Sequence, residues 1–326
     1  MNRAWIGAAP RRRWTRRLVR PPRCARPLLA ALVATLLLAG AAPSPALAAA
    51  RDDGGPAASM GTADAATSSA TGASALFSNP AGMSRLQQYV LSTGYAFSNG
   101  MSGHAVTFGA VDSATNPAVA MGATYTYLTS KLGGATRKGH DVRFGLSSGF
   151  RGQDFSLFVA LAGRYDALVV GRADTAGNAE RDDPKFFTLD AGLILQVGQL
   201  FRLGFAAQNL LDTKAVAEAP RRLRVGAGLQ LDAFEVTFDT DIDLQSQPPG
   251  GGSGPVLSYA AGAQYLIAQT FVARAGFRYD GLAQNKRLTL GAGYVSRAFG
   301  VDLGFAQSLD VGSDTALTLG VKVFLP

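Results

Sequence analysis

The sequence predicts an all-β protein, a transmembrane antiparallel up-and-down β-barrel of about 14 strands. Three observations lead there: period-two alternation of apolar and polar residues from Gln88 onward, connections that alternate between long and short, and an N-terminal leader suited to export. Composition narrows the alternatives. The chain has 326 residues, 47% hydrophobic and 17% charged, with one cysteine and no long apolar run beyond the N-terminus. That excludes a polytopic helical membrane protein, a disulfide scaffold and a disordered chain.

The formal net charge of +8 has a local origin. Nine arginines, Arg3 to Arg26, precede residue 27 with no acid among them. An apolar core, Leu28 to Ala42, follows, then Pro43, Pro45 and the A-x-A site Ala46-Leu47-Ala48. This layout predicts a secretory signal peptide over residues 1–48, cleaved after Ala48. Subtracting the nine leader arginines from the 31 bases leaves 22 against 23 acids, so the exported part is near neutral and no nucleic-acid partner is expected. Cys24 lies before the apolar core, where it is not placed for lipoprotein acylation.

Residues 49–75 are mostly alanine, glycine, serine and threonine, too poor in large apolar groups to fold alone. Strands are predicted at 88–98, 104–112, 117–130, 139–150, 153–165, 184–198, 200–209, 220–232, 233–243, 255–267, 269–280, 287–298, 299–309 and 314–325. In the last of these, Leu317, Leu319, Val321, Val323 and Leu325 share one face, and Ala316, Thr318, Gly320, Lys322 and Phe324 share the other. The polar faces carry glycine and charges of both signs. Alternation alone fits a soluble sandwich as well as a barrel. Connection lengths favour the barrel: those after odd-numbered strands are the longer set, as at Ser130 to Gly139, Asp166 to Pro184 and Leu210 to Pro220, whereas Gly152, Gln199 and Asp232-Ala233 mark short turns. Backbone polar groups in lipid must all be paired, so the barrel closes.

The last strand carries polar-x-Gly-x-x-apolar-x-apolar in Thr318, Gly320, Val323 and Leu325, which resembles the C-terminal signal read by the outer-membrane barrel assembly machinery. Ahead of the first strand stands Ala73-Ser74-Ala75-Leu76-Phe77-Ser78-Asn79-Pro80-Ala81-Gly82-Met83-Ser84. This resembles the Asn-Pro-Ala-Gly segment of the FadL-type outer-membrane transporter superfamily. Gly204 to Lys214, Pro220 to Gly228 and Leu288 to Tyr294 look like landmarks of its PorV-like branch, and the likeness covers nearly all of residues 58–325. The resemblance implies a hatch, or plug, over residues 49–87 folded into the lumen of a barrel over 88–326 in the bacterial outer membrane, in contact with its lipid. It further implies passive uptake of hydrophobic, fatty-acid-like small molecules through a hatch-gated barrel. The alternative is a PorV-like, non-catalytic adaptor for a secreted protein partner. Asn79, Pro80, Ala81 and Gly82 are then the hatch or gating candidates: Pro80 fixes the local backbone, Asn79 bonds neighbouring backbone and Gly82 permits a tight path.

Catalysis has little material. The exported part has two histidines, His104 and His140, no cysteine, and neither G-x-S-x-G nor H-E-x-x-H, so no enzyme, cofactor or metal is expected. Asp239, Asp241 and Asp243 share one strand face; they read either as a calcium site or, more simply, as a lumen row paired with Arg222 and Arg224. Arg143, Arg202, Arg274, Arg278 and Arg297 are expected in the same charged lumen network with Asp190, Asp232, Glu235 and Asp302. Glycine on these faces makes room for that interior. Asn116-Pro117 is a candidate strand kink for a lateral opening, and Tyr95, Tyr125, Tyr127, Tyr265, Tyr279 and Tyr294 are candidate interfacial residues.

Overall fold

A computed structural model describes residues 55–99, 103–116, 118–132, 135–173, 179–211, 218–249, 251, 253–310 and 314–325; the expected signal peptide lies outside them. Fifteen strand segments follow one another: β1 (Tyr89–Ser98), β2 (Gly103–Asp112), β3 (Val119–Leu132), β4 (Ala135–Arg151), β5 (Phe155–Ala173), β6 (Ala179–Asp182), β7 (Lys185–Val197), β8 (Phe201–Gln208), β9 (Arg222–Leu231), β10 (Phe234–Asp243), β11 (Val256–Ile267), β12 (Phe271–Asp280), β13 (Asn285–Val295), β14 (Phe299–Ser308) and β15 (Thr315–Leu325). Each pairs antiparallel with its neighbour, β15 returns to β1, and β4 joins β5, so the sheet closes. The ring has fourteen positions, because β6 and β7 both pair with β5 and share one. Pro184, which has no N–H, stands between them, yet its carbonyl accepts from the Leu168 nitrogen at 3.0 Å and pairing carries through.

Two expected loops are largely strand. β3 runs to Leu132, β4 begins at Ala135, and β5 continues to Ala173 in pairing with β6, where long connections at Ser130 to Gly139 and Asp166 to Pro184 were expected. Alternation persists along the extension: Leu168 and Val170 are buried while Ala167 and Val169 are not. Register outranks the Gly and Asp residues that suggest turns there.

The burial pattern is inverted relative to a soluble protein. Leu161 and Leu290, in mid-strand, are 66% and 60% exposed on the outer face, while Asp141 and Asp166 on the inner face are 0% exposed. Only an apolar surrounding accommodates an outer face so extensively hydrophobic, which decides between sandwich and membrane barrel. Tyr95, Tyr125 and Tyr127 stand on that outer face toward the long-loop end, and Tyr265 toward the other. His104 and His140 face outward as well; their Nδ1 atoms pair with the hydroxyls of Tyr95 at 2.6 Å and Tyr125 at 2.8 Å.

Three expectations change. Asp232 adopts a left-handed conformation (φ 51°) in the turn between β9 and β10, which aspartate tolerates, and is exposed there rather than in the lumen. Arg297 is exposed in the turn between β13 and β14. Asn116 lies in the β2–β3 turn, where its side chain accepts from the Ala118 nitrogen at 2.9 Å, and Pro117 lies outside the described residues. β3 keeps continuous register with β2 and with β4.

Candidate functional site

Inside the ring, residues 55–88 wind across the lumen. A helix at Ala57–Gly61 lies against β13, β14 and β15; a helical turn at Gly72–Ser74 faces β1 to β3; and Pro80–Ser84 packs on β3, β4, β5 and β7. The small residues that argued against independent folding are what the lumen requires, since Ala65, Thr67 and Ala75 are fully buried between hatch and wall. The wall answers with glycine. A Cβ at Gly204 would stand 2.2 Å from the Thr67 carbonyl oxygen, one at Gly192 2.2 Å from Asn79 Oδ1, and one at Gly262 2.6 Å from the Thr62 carbonyl. The lumenal glycines are therefore the seat on which the hatch backbone rests.

Asn79 anchors this seat. It is fully buried, and its Nδ2 donates toward the carbonyls of Thr67 at 2.8 Å, Leu193 at 3.1 Å and Phe205 at 3.2 Å, joining two hatch segments to β7 and β8. Its Oδ1 accepts from the Ala81 nitrogen at 3.2 Å, capping the turn that Pro80 opens. Gly82 passes so close to Ala70 that an added Cβ would lie 2.3 Å from the Ala70 carbonyl oxygen. Arg85 Nη1 donates to the Ala70 carbonyl at 3.0 Å.

Charges lie on both sides of the hatch. Toward the long-loop end, Arg224 Nη2 donates to the Asp64 carbonyl at 2.8 Å and meets Asp239 at 3.3 Å; Asp241 stands 3.9 Å from both Arg222 and Arg278, and Arg222 reaches Asp243 at 3.8 Å. Asp239 accepts from Thr67 and Asp243 from Ser246, so the three aspartates stand in a row beside Arg222, Arg224 and Arg278. Toward the short-turn end, Glu235 pairs with Arg202 and Gln264, Arg274 bonds Gln264 at 3.2 Å and Asp302 at 2.8 Å, and Lys322 completes the chain on Asp302 at 3.0 Å. Thr318 and Gly320 face inward on β15, while Val323 and Leu325 face out.

Sequence reasoning placed Arg143 in the lumen but passed over the second cluster it belongs to. Asp141 receives both Arg143, at 2.9 Å, and Arg164, at 2.7 Å; Arg164 also reaches Asp166 at 2.8 Å. Arg143 Nη1 donates to the Leu76 carbonyl at 3.3 Å, and its guanidinium lies 4.4 Å over the Phe77 ring. The alternating charges of β4 and β5 were the available signal; which hatch residue they would hold was not in it.

Cavities border the hatch among the described residues, and a polar one of about 190 Å³ lies between the hatch and Glu235, Gln264, Arg274 and Lys322. One of about 660 Å³ runs beside the hatch along β1 and β15, bounded by Ala73, Val90, Gly94 and Phe324, with Gln87, Ala114 and Arg297 at its short-turn end. Another, about 130 Å³, is polar and opens among Arg143, Arg164, Asp190 and Arg278 toward the long loops.

Solved structures of transporters and channels share this fold. A CymD monoaromatic hydrocarbon channel is similar over 85% of this chain and 99% of its own, at TM-score 0.62 and 16% identity. The chain has the FadL-type fold. A Pseudomonas aeruginosa FadL homologue matches at TM-score 0.61 and 14% identity over 82% of this chain and 98% of its own, and the Pseudomonas putida toluene transporter TodX at 0.57 and 13% over 83% and 97%. No protein-family model matches the chain, and no curated protein does.

Proposed function

We propose that this FadL-type barrel resides in the bacterial outer membrane and admits hydrophobic small molecules passively. The observation that carries the reading is the cavity of about 660 Å³ beside the hatch, largely apolar and reaching the short-turn end of the barrel. That end is assigned to the periplasm, because outer-membrane barrels put short turns there and long loops outside. The structural neighbours named as a toluene transporter and a hydrocarbon channel support the same class of cargo. Transport is the activity, and no catalytic step is assigned. The hatch candidates Asn79 to Gly82 act here as anchors of a fixed frame, and the last strand serves as the signal for the assembly machinery.

The test is uptake of a labelled aromatic hydrocarbon and a labelled long-chain fatty acid by cells expressing the chain, compared with Gly94→Phe. Gly94 faces the cavity, with its nearest neighbour to an added Cβ at 3.5 Å, so the new ring fills the chamber with little cost to folding. Uptake present in the parent and lost in the folded variant supports the reading. No uptake of either, with a secreted protein recovered in stoichiometric amount from native membranes, would replace it with the adaptor function.

A further inference from the structure

The cavities of about 660 and 130 Å³ are bounded in common by three residues, Gly55, Pro56 and Phe77. Where the polar antechamber and the apolar chamber adjoin directly, the partition between them carries one large side chain. That side chain is the Phe77 ring. Its neighbours along the chain are tied down: the Leu76 carbonyl accepts from Arg143 at 3.3 Å, the Phe77 carbonyl accepts from Gln208 Nε2 at 3.1 Å, and Asn79 holds two wall strands. Leu76, Ser78 and Asn79 are buried, whereas Phe77 is partly exposed to the spaces it divides.

We infer that Phe77 is the gate of the lumen, and that it opens by rotation of its own side chain while the hatch backbone stays seated. Rotation about χ1 and χ2 breaks no backbone hydrogen bond, whereas lifting the hatch would break the bonds of Asn79 and the Thr67–Asp239 pair together. Arg143 is the latch: its guanidinium lies 4.4 Å over the ring, itself fixed by both oxygens of Asp141 at 2.9 and 3.1 Å. A flat, apolar cargo arriving from the antechamber replaces the ring beneath that cation, so aromatic cargo is expected to pass more readily than saturated cargo of the same size. This last point rests on the uptake reading; the gate itself does not.

Ion conductance in planar bilayers tests the gate without reference to any cargo. Phe77→Ala is expected to raise conductance at least several-fold over the parent, and Arg143→Gln by a smaller factor, in protein shown to be folded by its heat-dependent shift on gels. Phe77→Cys gives a second route, since Cys24 in the leader is the only native cysteine. The introduced thiol should open the pore, and a benzyl methanethiosulfonate, which restores a ring at that position, should close it again. Folded Phe77→Ala or Phe77→Cys protein conducting like the parent would overturn the gate and leave the uptake reading intact. Open variants in a chain that takes up neither hydrocarbon nor fatty acid would keep the gate and refute the uptake reading.

Discussion

Asp239 of β10 accepts two hydrogen bonds from Thr67 of the hatch, one from the backbone nitrogen at 2.8 Å and one from the hydroxyl at 2.6 Å. The same carboxylate faces Arg224 at 3.3 Å, and Arg224 reaches back to the Asp64 carbonyl. Wall and hatch are therefore one polar unit. Asp239→Ala leaves the buried Arg224 cation without its partner and should cost about 3–5 kcal/mol, whereas Thr67→Val, which keeps the backbone bond, should cost about 1 kcal/mol. Thermal unfolding in detergent checks the order; equal losses would mean that the pair is not a clamp.

Asn79 makes a chemical rather than a steric demand. Its amide points at three carbonyl oxygens, so Asn79→Ala leaves acceptors unsatisfied at about 1–3 kcal/mol in total, while Asn79→Asp sets oxygen against oxygen and should be the worse of the two. Urea midpoints for the isolated variants decide this, and a harmless Asn79→Asp contradicts the geometry.

The glycine seat can be probed at paired positions. At Gly204 an added Cβ would meet Thr67 backbone at 2.2 Å, and at Gly94 nothing lies nearer than 3.5 Å. Gly204→Ala should destabilise the protein by about 1–3 kcal/mol, and Gly94→Ala should leave it unchanged. Limited proteolysis near Thr67 reports whether the hatch has lifted.

Leu290 tests the membrane face. Replacing this outward residue by arginine should cost about 2–4 kcal/mol near mid-membrane, and less toward either end of the strand. An insertion yield for Leu290→Arg equal to that of the parent would argue that β13 does not meet lipid.

A titration effect is expected beyond the membrane, at the β6–β7 break. The Arg181 hydrogen bond, then the charges of Arg181 and Lys185, hold the Asp183 carboxyl below its usual range against a desolvation effect that raises it. A depressed carboxyl stabilises its local structure above its unfolded value of about 3.9 and ceases to do so as pH falls through the lower folded value. Amide exchange at residues 181–183 should quicken only in that acid window, and Arg181→Gln should move the window upward.

Much of the barrel was legible because strand alternation is local. Leu317 to Leu325 and Phe187 to Val197 show their faces residue by residue, whereas the sorting of long and short connections was only partly right, since β3, β4 and β5 run on through two of the expected long loops. The Asn79 segment was legible as a hatch only through resemblance. Its partners were not, since Leu193 and Phe205 lie 114 and 126 residues away and offer main-chain carbonyls that every residue type carries. Arg297 and Asp232 were misplaced because a turn one residue longer or shorter changes which way a side chain points.

The sequence by itself determined the strands, the apolar outer face and the charged inner one, since each depends on spacing along a few consecutive residues. Only the tertiary structure decided that the lumenal glycines are a seat for the hatch, that Arg143 lies over Phe77, and that this one ring stands between two cavities. Those relations join segments far apart in the chain, and they exist only once ring closure brings the wall and the hatch to the same depth.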